Sequence, residues 1–162
     1  MKLPIFIKKM KMESTFRNWE TNRNIYLNFL ENYTLAQLNK IPDGFSNNLI
    51  WNIGHVIAVQ QGLVYRLSGL PMNISEDMKT TYQKGSYPTG NTTQAEVDEI
   101  KGLLMSLMTK TKKDYADGKF IAYNEFTTST GFTLSSSKEA MEFNNYHEGI
   151  HLGCILKIRK FI

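Results

Sequence analysis

Residues 146–153 read Tyr-His-Glu-Gly-Ile-His-Leu-Gly, and they lie within Ser137–Ile162, which the sequence predicts to be one helix. Along this segment six residues recur at helical spacing and form one stripe: Ala140, Phe143, His147, His151, Cys154 and Ile158. With about 3.6 residues per turn, the two histidines lie one turn apart on the same face. Two imidazoles at this spacing can bind one metal ion. The alternative is a pair of buried histidines that make ordinary hydrogen bonds.

The third and last histidine of the chain, His55, lies in a second predicted helix, Asn47–Ser68. Its face of that helix carries Asn48, Trp51, Val59, Gly62 and Arg66, and the opposite face is apolar. A helix that is apolar on most sides belongs in the middle of a bundle, so His55 is expected to point inward. Three neutral imidazoles leave one coordination position open, which is typical of a reactive zinc or nickel site.

Composition limits the class of protein. The 162 residues suit one domain, and 41% hydrophobic with 21% charged residues is ordinary for a globular protein. The net charge of +4 comes with no nucleic-acid motif, so the basic clusters are interpreted as solvated surface. No run approaches the roughly 20 apolar residues of a membrane span. One cysteine excludes an internal disulfide, and we expect a cytoplasmic protein with a small-molecule substrate and a candidate homodimer.

Capping residues mark the start of the first two predicted helices. The first begins at Ser14 or Thr15 and runs to about Asn39, after a flexible N-terminal extension of residues 1–13. The second is capped by Ser46 or Asn47 and ends before a Gly-Leu-Pro sequence at residues 69–71. Residues 14–162 are therefore predicted to form a single domain.

The third helix begins at Thr92 or Thr93, where Thr93 and Glu96 have the spacing of a capping box. Before it lies a long loop, Met72–Asn91, with a short helical turn at Glu76–Thr81. After it, Phe120–Thr128 has strand composition and can pair with Gly131–Leu134 as a short β-ribbon, and a serine at 135–137 caps the last helix. The fold class predicted is all-α: an antiparallel four-helix bundle with long connections.

The sequence His-Glu-Gly-Ile-His at 147–151 also matches HExxH, the motif of zinc peptidases in which the Glu acts as general base. Its context argues against this function. Only eleven residues follow His151, and Cys154 and Lys157 stand where the extended motifs need glycine and histidine. A peptidase is the remote alternative.

Two longer stretches resemble signatures of the DinB-like (DinB/YfiT) superfamily. They are Phe-Ser-Asn-Asn-Leu-Ile-Trp-Asn-Ile-Gly-His at 45–55 and Asn-Asn-Tyr-His-Glu-Gly-Ile-His-Leu-Gly at 144–153. The Gly-Leu-Pro at 69–71 and the Lys-Gly-Ser-Tyr-Pro-Thr loop at 84–89 are also similar to members. The resemblance covers about Phe16 to Ile162. It implies a four-helix bundle and one nickel or zinc ion, held here by His55, His147 and His151.

The resemblance implies several reactions. Some relatives are S-transferases that use low-molecular-weight thiols such as bacillithiol or mycothiol, and others are isomerases or hydrolases. A divalent ion on three neutral histidines would lower the pKa of bound water or thiol and supply a nucleophile at neutral pH. We therefore expect a metal-dependent thiol S-transferase or hydrolase, with Met72–Asn91 and Phe120–Gly131 over one end of the bundle, where they admit an electrophile. The alternative is a non-catalytic metal- or ligand-binding bundle, such as a sensor.

Residues beside the histidines have competing interpretations. Glu148 is expected to be a surface carboxylate or a hydrogen-bond partner of a metal ligand, with a general-base role as the alternative. Cys154 is expected to be a small buried core residue, with a fourth ligand or a redox-sensitive thiol as alternatives.

The second helix offers further candidates. Trp51 is expected in the core, and Asn48 either caps the helix or hydrogen-bonds near the metal. Arg66 is either a solvated charge at the helix end or an attractor of anionic substrate. Gly54 and Gly149 adjoin histidines at a cost to helix stability, so close helix contact is expected at both.

Overall fold

The computed structural model describes the backbone from Ile5 onward and the side chains from Met12. In these residues the α-helices are α1 Ile5–Asn32, α2 Leu35–Asn39, α3 Leu49–Val64, α4 Glu76–Tyr82, α5 Gln94–Ala116 and α6 Ser137–Ile158. Short 3₁₀ helices follow at Arg66–Ser68 and Arg159–Phe161, and the strands are β1 Phe126–Thr127 and β2 Thr133–Leu134. None of these helices combines the length and the apolar character needed to cross a membrane.

The four long helices form the predicted bundle. Helix α1 packs against α5 and α6, and α3 packs against the same two helices. Helix α3 is the most buried, since every residue in it except Val59 is excluded from solvent. The bundle is antiparallel for the pairs α1–α5 and α3–α6, as contacts such as Phe16–Tyr115 and Asn52–His151 show.

Helices α3 and α5 run in the same direction, because Asn39 holds both of their N-terminal ends. Its backbone carbonyl accepts from Asn48 Nδ2 at 2.9 Å, and its side chain exchanges hydrogen bonds of 2.7 and 2.9 Å with the backbone of Thr92. Parallel neighbours in a bundle require a long crossover connection. The segment between α3 and α5 provides that connection and crosses the site described below.

Several local predictions are confirmed. Thr93 and Glu96 form the capping box of α5, and Ser136 caps α6. Gly69, with φ of 72°, ends the second helical segment in the left-handed conformation that glycine adopts without strain. The predicted helical turn is α4, one residue longer than expected. The predicted face of α5 is buried throughout: Val97, Ile100, Leu104, Leu107, Met108 and Thr111.

Other boundaries differ from the sequence prediction. Helix α1 already includes Ser14 and Thr15, so neither residue caps it. The same helix stops at Asn32, because Thr34 starts α2 with its own capping box. Asn48, rather than Ser46 or Asn47, caps α3, where its side chain accepts from Trp51 N at 2.9 Å.

The flexible extension at residues 1–13 stays a prediction. Its first four residues lie outside those described, and α1 begins at Ile5. The β-ribbon is present but short, with Phe126 paired to Leu134 and Thr127 to Thr133. The residues just before the ribbon, which were predicted to belong to its first strand, do not form a strand, and Ile121 among them is 93% exposed.

Candidate metal centre

The three histidines come together where α3 packs against α6. One nitrogen atom from each of His55, His147 and His151 lies within 4.8 Å of the other two. The ring centroids are 5.3 Å apart for His55 and His147 and 4.6 Å apart for the other two pairs. These residues are therefore positioned to hold a metal ion, and His55 points inward as expected.

In two of the three histidines, a hydrogen bond at one ring nitrogen leaves the other nitrogen available to bind a metal. His55 Nδ1 lies 2.7 Å from the backbone carbonyl of Tyr82, which can only accept, so Nδ1 carries the proton. His151 Nδ1 lies 2.8 Å from Asn52 Oδ1. The Asn52 amide group donates to Asn47 Oδ1 and to the Asn48 carbonyl, which leaves Oδ1 as an acceptor. Both histidines therefore present Nε2 with a free lone pair, the arrangement usual for metal ligands.

All three rings are neutral at physiological pH. Burial is the largest cause of the lowered pKa of each ring, including that of His55. The pKa of His147 falls to about 2 and that of His151 to about 3. Mutual repulsion between the rings adds to the last two shifts. Only a neutral imidazole can coordinate a metal ion. His147 Nδ1 is also buried without a hydrogen-bond partner in the described part of the protein, so this donor set fits a divalent ion.

Trp51 and Tyr82 fix the position of His55. The indole ring stacks on the imidazole with centroids 4.6 Å apart and planes 15° apart, and Trp51 is buried, as expected. A Cβ atom at Gly54 would lie 2.5 Å from the Tyr82 ring. Glycine at position 54 therefore lets α4 approach closely enough for the Tyr82 carbonyl to reach His55. At Gly149 an added Cβ meets nothing within 4 Å, so the expectation of close helix contact there is wrong.

Glu148 is fully buried, so its interpretation as a surface carboxylate is wrong. Its Oε1 accepts from Arg23 Nε at 3.1 Å, Arg23 Nη2 at 2.7 Å and Asn144 Nδ2 at 2.7 Å. The Tyr26 hydroxyl donates to the Glu148 backbone carbonyl. One residue along α6 rotates the direction by about 100°, so Glu148 faces α1 while its neighbouring histidines face α3.

This position bears on the general-base and peptidase alternatives. A general base must come within reach of a substrate proton. Glu148 is paired with Arg23 and does not line the cavity next to the histidines. The geometry offers neither alternative any support.

Cys154 is exposed, so the expectation of a small buried core residue is wrong. The buried face of α6 instead carries Met141, Asn144, Glu148, Ile155 and Ile158. The neighbouring Ile155 is buried in place of Cys154, because α6 packs against both α1 and α3 and its buried face does not follow the stripe through the histidines. Cys154 is absent from the group of residues that can hold the metal.

A cavity of about 570 Å³ opens beside the histidines. Its walls come from α3, from the connection between α3 and α5, from the β-ribbon and from α6. Both predicted covering segments contribute: Met72, Lys79, Gln83 and Lys84 from the first, and Phe126 and Thr128–Thr130 from the second. A volume of this size is typical of small-molecule sites, and the histidines form part of its lining.

Sequence reasoning missed three residues of the site: Arg23, Asn52 and Tyr82. Arg23 could have been noticed, because it is the one charged position between Trp19 and Tyr26 on the buried stripe of α1. Asn52 and Tyr82 gave no comparable signal, since their roles depend on how α3 meets α6 and α4.

A search among curated proteins found no match. The sequence model of the DinB superfamily, by contrast, matches residues 18–155. The matched region includes all three histidines and the covering segments of the cavity. Since it spans most of the chain, the protein belongs to the DinB superfamily.

Proposed function

We propose that this protein is a metal-dependent enzyme that transfers a small thiol to an electrophilic substrate, with His55, His147 and His151 as ligands of a nickel or zinc ion. The observation that carries the proposal is the meeting of three neutral histidines, with nitrogen atoms within 4.8 Å, at the wall of a substrate-sized cavity. A divalent ion held there would supply a Lewis acid that lowers the pKa of a coordinated thiol or water.

The protein's own groups would hold the reaction geometry. The Tyr82 carbonyl and Asn52 Oδ1 keep two imidazoles in one tautomer and orientation, so that no rotation is needed when a ligand arrives. Apolar side chains of the cavity, such as Leu63, Phe126 and Phe143, would pack against an apolar electrophile.

The absence of a nearby base favours a thiol over water as the nucleophile. Among the described residues, no carboxylate lines the cavity, and Glu148 is held by Arg23. A divalent ion would lower the pKa of either nucleophile, but a thiol starts from about 8.5 and water from about 15.7, so a thiol would need less help to lose its proton. Hydrolysis is the second candidate, and non-catalytic metal or ligand binding is the third.

The test combines metal analysis with a reaction screen. Protein purified without an affinity tag should carry close to one divalent ion per chain. A panel of small thiols and electrophiles should then react faster with metal-loaded protein than with metal-free protein or His151→Ala. The matched control is Cys154→Ala, which removes the protein's exposed thiol and should leave the rate unchanged.

Three outcomes separate the candidates. Equal rates in loaded, metal-free and His151→Ala protein would refute the transferase. Ester or amide cleavage by loaded protein without added thiol would establish the hydrolase instead. Stoichiometric metal with no turnover in either screen would favour the binding protein.

A further inference from the structure

Arg66 lies in the 3₁₀ helix that follows α3, and it lines the same cavity as His55. Along one side of α3, His55, Val59 and Gly62 succeed one another and all line that cavity. The rise of about 1.5 Å per residue places Gly62 about 10 Å from His55 along the helix axis. The cavity therefore extends along α3 from the histidines toward Arg66.

The Arg66 side chain is exposed, and its guanidinium group lies back over the last turn of α3. A Cβ atom at Gly62 would lie 3.8 Å from Arg66 Nη2 and 3.9 Å from Nε. The guanidinium group thus lies beside Gly62, in ordinary van der Waals range of that position. With its stem along the cavity wall and its head group in solvent, Arg66 can meet an anion at the mouth of the cavity.

The charged side chains that line the cavity are all basic. Besides Arg66, the lysines Lys79 and Lys84 line it, whereas no described carboxylate does. Lys79 is paired with Glu76 at 2.7 Å, but neither Arg66 nor Lys84 has an ion pair within the described residues. Guanidinium groups bind carboxylates and phosphates through paired hydrogen bonds.

The wall also includes the polar side chains of Gln83, Tyr146 and Thr128–Thr130, but most of it is apolar: Ala58, Val59, Leu63, Phe126, Phe143 and Ile150. We propose that this cavity takes an amphiphilic anion: an apolar body along these side chains and a carboxylate or phosphate group on Arg66, about 10 Å from the histidines. This names the substrate class of the proposed enzyme, so its catalytic relevance rests on the proposed function, whereas the binding itself needs no metal.

The test uses metal-free protein and calorimetric titration with three probes of one chain length: octanoate, octyl phosphate and octanol. Both anions should bind more tightly than octanol. In Arg66→Gln the affinity for the anions should fall about tenfold or more, the loss expected of a charge-assisted hydrogen bond, and octanol binding should not change. The relative affinities of octanoate and octyl phosphate identify the preferred head group.

Arg17→Gln is the matched control, because Arg17 is an exposed arginine on α1 outside the cavity. It should bind all three probes as the parent does. Octanol affinity equal to that of the anions, or anion affinity unchanged in Arg66→Gln, would overturn the proposal.

A further comparison separates this inference from the proposed function. Anions that bind only metal-loaded protein would be held by the metal centre, which would refute the Arg66 site and leave the enzyme proposal intact. Anion binding to the parent protein, with no thiol transfer by the metal-loaded parent in the reaction screen, would do the opposite.

Discussion

Arg23 of α1 and Glu148 of α6 form a buried ion pair, with Nη2 2.7 Å from Oε1 and both side chains almost completely excluded from solvent. Glu148 directly follows the candidate ligand His147 in α6. The pair therefore fixes the side of α6 that faces α1, and the histidines are left to face α3. The ion pair between α1 and α6 thus determines the direction in which the α6 histidines of the candidate metal centre point.

Removal of one partner of this pair should destabilise the fold strongly. Arg23→Met leaves the Glu148 carboxylate buried without its cation, and such a loss costs about 3–5 kcal/mol. The free energy of unfolding, from urea titration, measures the cost. The double variant Arg23→Met/Glu148→Met should recover much of it, because no buried charge is left unpaired. If Arg23→Met alone costs less than about 1 kcal/mol, the pair does not hold α6 in place.

His55→Ala should bind zinc or nickel at least about a hundredfold more weakly than the parent, because only two protein ligands remain. Competition against a chelator of known affinity measures the change. Cys154→Ala is the control, since that cysteine is exposed and outside the group of candidate ligands. Unchanged affinity in His55→Ala would mean that His55 is not a ligand.

Asn52 should affect the metal without touching it. Asn52→Ala removes the acceptor for His151 Nδ1, so the ring loses its fixed tautomer and orientation. Affinity for zinc should fall about ten- to a hundredfold, the range found for such partners. Asn24→Ala, at an exposed position of α1, should have no effect. The same chelator competition applies, and equal loss in both variants would contradict a specific role for Asn52.

The contrast between α5 and α6 shows how far sequence reasoning reached. The buried face and cap of α5 were predictable, because one apolar stripe and a local capping box define them. In α6 the histidines were predictable from their spacing, but Glu148 and Cys154 were assigned to the wrong environments. A helix that packs against two neighbours buries two faces, and periodicity alone cannot show which polar residue finds a partner. Glu148 is buried only because Arg23 lies opposite, 125 residues earlier in the chain.

Removal of the metal should leave the fold intact. The apolar residues of all four long helices form the core without any contribution from a metal, unlike the core of a zinc finger. Treatment with a chelator should preserve the helical circular-dichroism signal. It should lower the melting temperature, because the folded state loses the stabilisation that metal binding provides. Complete loss of the helical signal would show that the metal is structural.

Stability at acidic pH should depend on Asp114. This residue lies near the C-terminal end of α5, where it accepts a hydrogen bond from Tyr65 at the end of α3. Burial alone would raise the pKa of this carboxyl, but hydrogen bonds from Lys110, Lys119 and Tyr65 lower it to about 2. The ordinary value is 3.8. The folded state therefore prefers ionised Asp114, and the stabilisation is fully present above about pH 4 and is lost as the pH falls toward about 2.

Asp114→Asn tests this prediction. The variant should be less stable than the parent at neutral pH by about 1–2 kcal/mol, and the difference should shrink between about pH 4 and pH 2 as the parent becomes protonated. Asp117→Asn is the matched control, because Asp117 is 40% exposed and pairs with Lys113 at the surface. Urea titrations at several pH values measure both differences. A difference between Asp114→Asn and the parent that stays constant across this window would mean that the carboxyl is not held ionised by its three donors.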